Sequence, residues 1–99
     1  MKKELMDLFR QAANSAEKEL SILSNLVDKI IEYNIQDERT ISKVFDSILS
    51  IEFIDDDKKR NVFYKLSSYC RNFNKELADD YDEILEKFLS DTDENYKSM

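Results

Sequence analysis

Residues 5–31 read LMDLFRQAANSAEKELSILSNLVDKII, and the spacing of their apolar positions decides the fold. Leu5, Phe9, Ala12, Ala16, Leu20, Leu23, Val27 and the pair Ile30/Ile31 recur in steps of three and four, which is one face of an α-helix and not the alternation of a strand. Within this stretch Asn14-Ser15-Ala16-Glu17 resembles a capping box that opens a new helix. Yet Leu5, Ala16 and Val27 keep a spacing of 11 residues across it, as do Phe9, Leu20 and Ile31. The reading is therefore one helix over about 3–33, roughly 46 Å long at 1.5 Å per residue, with a kink near Asn14 as the alternative.

Working outward, Tyr33-Asn34-Ile35-Gln36-Asp37 breaks the period and ends in an N-cap residue, whose carboxylate is expected to accept from the backbone of Arg39 or Thr40. A second helix over about 38–52 buries Ile41, Val44, Phe45, Ile48 and Leu49, with Ile51 beyond. Asp55-Asp56-Asp57 before Lys58-Lys59-Arg60 suits a cap and the start of a third helix over about 57–72, with Val62, Phe63, Leu66, Tyr69, Cys70 and Phe73 on its apolar side. Asn74 then caps a fourth helix over about 75–89 through Leu77, Tyr81, Ile84, Leu85 and Phe88, and 90–99 read as a polar tail. The expected fold is all-α, a single four-helix bundle-like domain over 1–99 with a long first helix.

Composition removes most chemistry. The 99 residues include no Gly, Pro, His or Trp and one Cys. Without Gly, the phosphate-cradling loops and dinucleotide fingerprints have no residue for their positive-φ positions. Without His, the usual general base near neutral pH and the commonest transition-metal ligand are missing. A lone cysteine forms neither an intrachain disulfide nor a cysteine-based zinc site, which fits a reducing compartment. Met1-Lys2-Lys3-Glu4 turns amphipathic at once and no apolar run is long enough for a membrane span, so the chain is expected to be cytoplasmic.

Charge is unevenly distributed. Fifteen Lys and Arg against 22 Asp and Glu give −7, and residues 75–99 alone carry −6. Glu76, Asp79, Asp80, Glu83 and Glu86 fall at helical spacing and are expected to form a solvent-facing acidic stripe, either a solubilising face or a surface for a basic protein. The basic cluster Lys58, Lys59 and Arg60, with Lys65 and Arg71, is expected to offset these carboxylates or Asp55–Asp57 through surface pairs. Direct nucleic-acid binding is disfavoured by the surplus of anions. Tyr64 beside Arg60 and Lys65 is an exposed aromatic of the kind that anchors interfaces, whereas Tyr33, Tyr69 and Tyr81 fit half-buried core edges.

Metal and thiol chemistry fare no better. Asp55-Asp56-Asp57 begins like a calcium loop, but that register needs Gly where Arg60 stands and Glu where Leu66 stands. Cys70 lies on the apolar side of its helix and reads as a small hydrophobe. No catalytic residue, metal or cofactor is expected, and the chain is expected not to be an enzyme.

Two functions remain. The first is non-catalytic binding of another, basic protein. In length, acidity and lack of catalytic groups the chain resembles the small helical bacterial immunity proteins, which implies an inhibitor of the immunity or antitoxin type; no sequence motif carries that resemblance. The second is a structural or regulatory homodimer: a first helix this long outruns its neighbours and leaves Leu5, Met6, Leu8 and Phe9 for self-association.

Overall fold

A computed structural model describes the backbone of residues 2–98 and the side chains of residues 7, 8 and 10–89. Four helices follow in order: α1 (Lys2–Glu32), α2 (Glu38–Leu49), α3 (Asp56–Cys70) and α4 (Lys75–Ser98), and no strand occurs among the described residues. The architecture is all-α and bundle-like. α1 is one 31-residue element, so the in-phase apolar positions outweigh the local capping signal at Asn14.

The helix ends follow from side chains available locally. Asp37 caps α2 by accepting from Thr40 N at 3.0 Å and from the Thr40 hydroxyl at 2.6 Å. Those two bonds, the hydroxyl's first, hold the Asp37 carboxyl below its ordinary range. Asp55 accepts from Asp57 N at 2.8 Å and Asn74 from Leu77 N at 3.1 Å, which open α3 and α4. At the end of α1, Ile35 N reaches Ile30 O at 2.9 Å and Asn34 N reaches Ile31 O at 3.2 Å, the double closure of a Schellman motif. Its left-handed position is Asn34, at φ 54°, where asparagine replaces the glycine this chain lacks. Phe53, at φ 62°, makes the other left-handed turn, between α2 and α3, at a backbone cost of about 1–2 kcal/mol for a side chain with a Cβ.

α3 is the central element, packed against each of the other three helices. The core gathers Val27 and Ile30 of α1, Ile41, Phe45 and Ile48 of α2, Phe63, Leu66 and Cys70 of α3, and Ala78 and Leu85 of α4, all fully buried. Phe45 stacks on Tyr81 with centroids 4.4 Å apart and tilts against Phe63 at 4.8 Å, so one ring joins α2, α3 and α4. The radius of gyration of 15.3 Å exceeds the roughly 13 Å of a compact chain of this size. The longest extent is 51 Å, and α1 alone is about 46 Å long at 1.5 Å per residue.

Four details depart from the sequence-based expectation. α2 closes at Leu49, short of 52, because Ser50 to Phe53 form the turn. α4 continues to Ser98, past the expected end near 89, for the segment that follows contains no Gly or Pro to stop it. α4 is also rotated by about a quarter turn at 100° per residue, so Ala78, Leu85 and Leu89 face the core while Ile84 and Phe88 are exposed. Tyr33, expected at a core edge, is exposed, with the Lys29 ammonium 5.6 Å from its ring centre.

Candidate functional site

Rotation of α4 turns part of the acidic stripe toward α3. Arg71, just past the end of α3, bonds Asp79 with one guanidinium nitrogen and lies 2.5 Å from Asp82 with another. Ser67, fully buried on α3, donates to the second oxygen of Asp82 at 2.6 Å. One turn of α4 further on, Glu86 accepts from Arg60 at 3.4 Å and from the Tyr64 hydroxyl. The Tyr64 bond first, then Arg60, holds the Glu86 carboxyl below its ordinary range. Burial first, then the same carboxylate, pushes the Tyr64 phenol up to about 12.

The basic residues of α3 are thus largely engaged within the molecule. Lys58 pairs with Glu17 at 2.8 Å, Lys65 with Asp28, and Arg60 with Asp57 at 3.4 Å as well as with Glu86. Lys59 is different. It is only 4% exposed, and its ammonium donates to the carbonyls of Leu49 at 3.2 Å and Ile51 at 2.6 Å, with the Phe88 ring centre 5.3 Å away. Burial pushes its pKa down. Sequence periodicity had no signal for this, because a lysine in a run of charges reads as solvated.

Each candidate interface residue now has a place. Glu76, Asp79, Asp80, Glu83 and Glu86 are all exposed. Asp79 and Glu86 are held by Arg71 and Arg60, and Glu83 pairs with Lys87 at 3.2 Å along its own helix. Glu76 and Asp80 have no ion pair among the described residues, and they meet Glu38 from the first turn of α2 around a concavity of ≈ 170 Å³ completed by Asn74 and Leu77. Glu38 was not foreseen, since only the packing of α2 beside the start of α4 brings it there. Tyr64 and Arg60 are half-buried and bonded to Glu86, and Tyr64 meets Phe63 edge-on at 6.0 Å. Of the self-association candidates, Leu8 is exposed, and Leu5, Met6 and Phe9 lie outside the described side chains.

A larger open groove of ≈ 390 Å³ runs between α1 and α3, with Leu20, Ser24, Ile54, Val62 and the Lys58–Glu17 pair among its walls. It holds no convergent set of acid, base and nucleophile. Cys70 is fully buried, with its thiol pushed up by burial. Among the described residues no group of carboxylates or thiols is placed to hold a metal ion, and no helix is long and apolar enough to cross a membrane.

No protein-family model, curated protein or solved structure matches this chain.

Proposed function

We propose that the chain is a non-catalytic protein-binding domain that receives basic side chains of a partner at the corner formed by Glu38, Glu76 and Asp80. The observation that supports this reading is the contrast within one acidic surface. Asp79, Asp82, Glu83 and Glu86 have cations within the molecule, whereas the three corner carboxylates border a concavity with none among the described residues. Carboxylates already paired at close range have little field left to attract a partner, while a cluster of like charge around a concave surface focuses it. Leu77 and Asn74 add an apolar wall and an amide, so a lysine or arginine stem finds apolar surface beneath its charge. The narrower reading, a bacterial inhibitor of the immunity or antitoxin type, rests on length, acidity and helix content.

The test is an amide chemical-shift titration of the labelled protein with an arginine-rich model peptide. Shifts centred on Glu38, Asn74, Glu76, Leu77 and Asp80, reduced by added salt and lost in the Glu38→Lys/Glu76→Lys/Asp80→Lys variant, are the expected result. Shifts spread evenly over Asp79, Glu83 and the other acidic positions would remove the corner from consideration.

A further inference from the structure

α1 carries a second apolar stripe, flanking the face that packs into the core. Leu8, Ile22, Leu26 and Tyr33 are 62%, 66%, 42% and 65% exposed. At about 100° per residue they fall within about 40° of one another around the helix. They also fit a heptad register, in which Leu8, Ser15, Ile22 and Lys29 take the d positions and Ala12, Glu19, Leu26 and Tyr33 the a positions. On the core face of the same helix, Ala16, Leu20 and Val27 lie about 80–160° round from this stripe, and Ile30 borders it.

We propose that the part of this stripe from Ser15 to Tyr33 pairs with the same part of a second copy of the chain, antiparallel, about a twofold axis passing between Ile22 and Leu26. Charge selects both the occupant and the direction. In the antiparallel arrangement Ile22 packs on the partner's Leu26, Glu19 faces the partner's Lys29, and Lys18 comes beside the partner's Glu32. Each contact occurs twice by symmetry. In a parallel, in-register pairing Glu19 meets the partner's Glu19 and Lys29 the partner's Lys29, and like charges directly opposed are repulsive. The charges around the stripe are therefore self-complementary in one direction only. Glu19 and Lys18 have no ion pair among the described residues. The present partners of Lys29 are Glu32 at 3.3 Å on the next turn and the ring of Tyr33, contacts on the exposed surface that exchange at little cost. This self-association uses none of the residues of the Glu38–Glu76–Asp80 corner, so each reading stands or falls without the other.

Sedimentation equilibrium of the full chain over a wide concentration range tests it. Wild type is expected to dimerise, and Ile22→Glu, at a position already facing solvent, to remain monomeric with unchanged helix content. Glu19→Lys alone and Lys29→Glu alone are each expected to weaken the dimer on the order of tenfold, and the combined exchange to restore it. A wild type that stays monomeric into the high micromolar range overturns the proposal. So does a dimer indifferent to Ile22→Glu, and a dimer that loses stability in the single charge variants without regaining it in the pair.

Discussion

The ammonium nitrogen of Lys59 lies 2.6 Å from the carbonyl oxygen of Ile51, so the first turn of α3 closes the end of α2. The same nitrogen reaches Leu49 O at 3.2 Å, and the positive charge stands at the negative end of the α2 dipole. Burial opposes this arrangement and is offset by the two carbonyls and the face of Phe88. Lys59→Met keeps the buried stem and removes the donors, and is expected to cost about 1–2 kcal/mol in urea denaturation. Lys59→Glu places a carboxylate against the same carbonyls and is expected to cost more, about 3 kcal/mol. A Met variant as stable as wild type would show that the cap contributes nothing net.

Asp82 serves two donors at once, the buried Ser67 hydroxyl at 2.6 Å and the Arg71 guanidinium at 2.5 Å. Removing the acceptor leaves the hydroxyl without a partner in the α3–α4 interface, whereas removing the hydroxyl leaves Asp82 with Arg71 and water. The two truncations are expected to differ accordingly. Asp82→Ala costs about 1–3 kcal/mol, and Ser67→Ala stays within about 1 kcal/mol of wild type. Equal losses from chemical denaturation of both variants would contradict the asymmetry.

Tyr64 and Glu86 link stability to pH on both sides of neutrality. The phenol is raised to about 12 in the folded chain against about 10 unfolded, so its contribution is whole below pH ~10 and is lost as pH rises from about 10 to 12. Glu86 is lowered, so its contribution is whole above the ordinary carboxylate pKa and is lost as pH falls through the folded value. In Tyr64→Phe the stability deficit relative to wild type is expected to be largest near neutral pH and to shrink at both extremes. A deficit independent of pH, measured by denaturation across the range, would mean that the ring packs but the hydroxyl does not matter.

Cys70 is expected to resist thiol reagents in the native protein, because the sulfur is fully buried and its thiolate is disfavoured by that burial. Absorbance with a chromogenic disulfide should develop slowly in buffer and at once in denaturant. Rapid native labelling would mean that α3 opens locally near Arg71.

The register of α1, α2 and α3 was legible because apolar residues recur with one clear period in each, and Asp37, Asp55 and Asn74 are caps with few alternative uses. α4 offered two rival stripes. Leu77, Tyr81, Ile84, Leu85 and Phe88 make the larger hydrophobic row, yet Ala78, Leu85 and Leu89 are the buried positions, with Leu77 and Tyr81 at the edge of the core and Ile84 and Phe88 exposed. A small residue at Ala78 lets α4 approach α3 closely, and Arg60 and Arg71 draw in Glu86, Asp79 and Asp82. A count of apolar area along one helix contains neither effect. The acidic surface was visible as composition, but which carboxylates stay unpaired depends on that rotation, and Glu38 joins them only where α2 comes beside the start of α4.

The central place of α3 also bears on how the chain finds its structure. α2 and α4 are its neighbours in sequence, joined to it by short turns, so their contacts close small loops at little entropic cost. α1 meets α3 only after the intervening α2 is accommodated, which makes its docking the least local event in the molecule. Folding is therefore expected to begin in the segment from α2 to α4 and to finish when α1 is laid along it. Until that last step α1 has only α2 to pack against, and the longest helix of the protein is also the part most open to meeting another chain first.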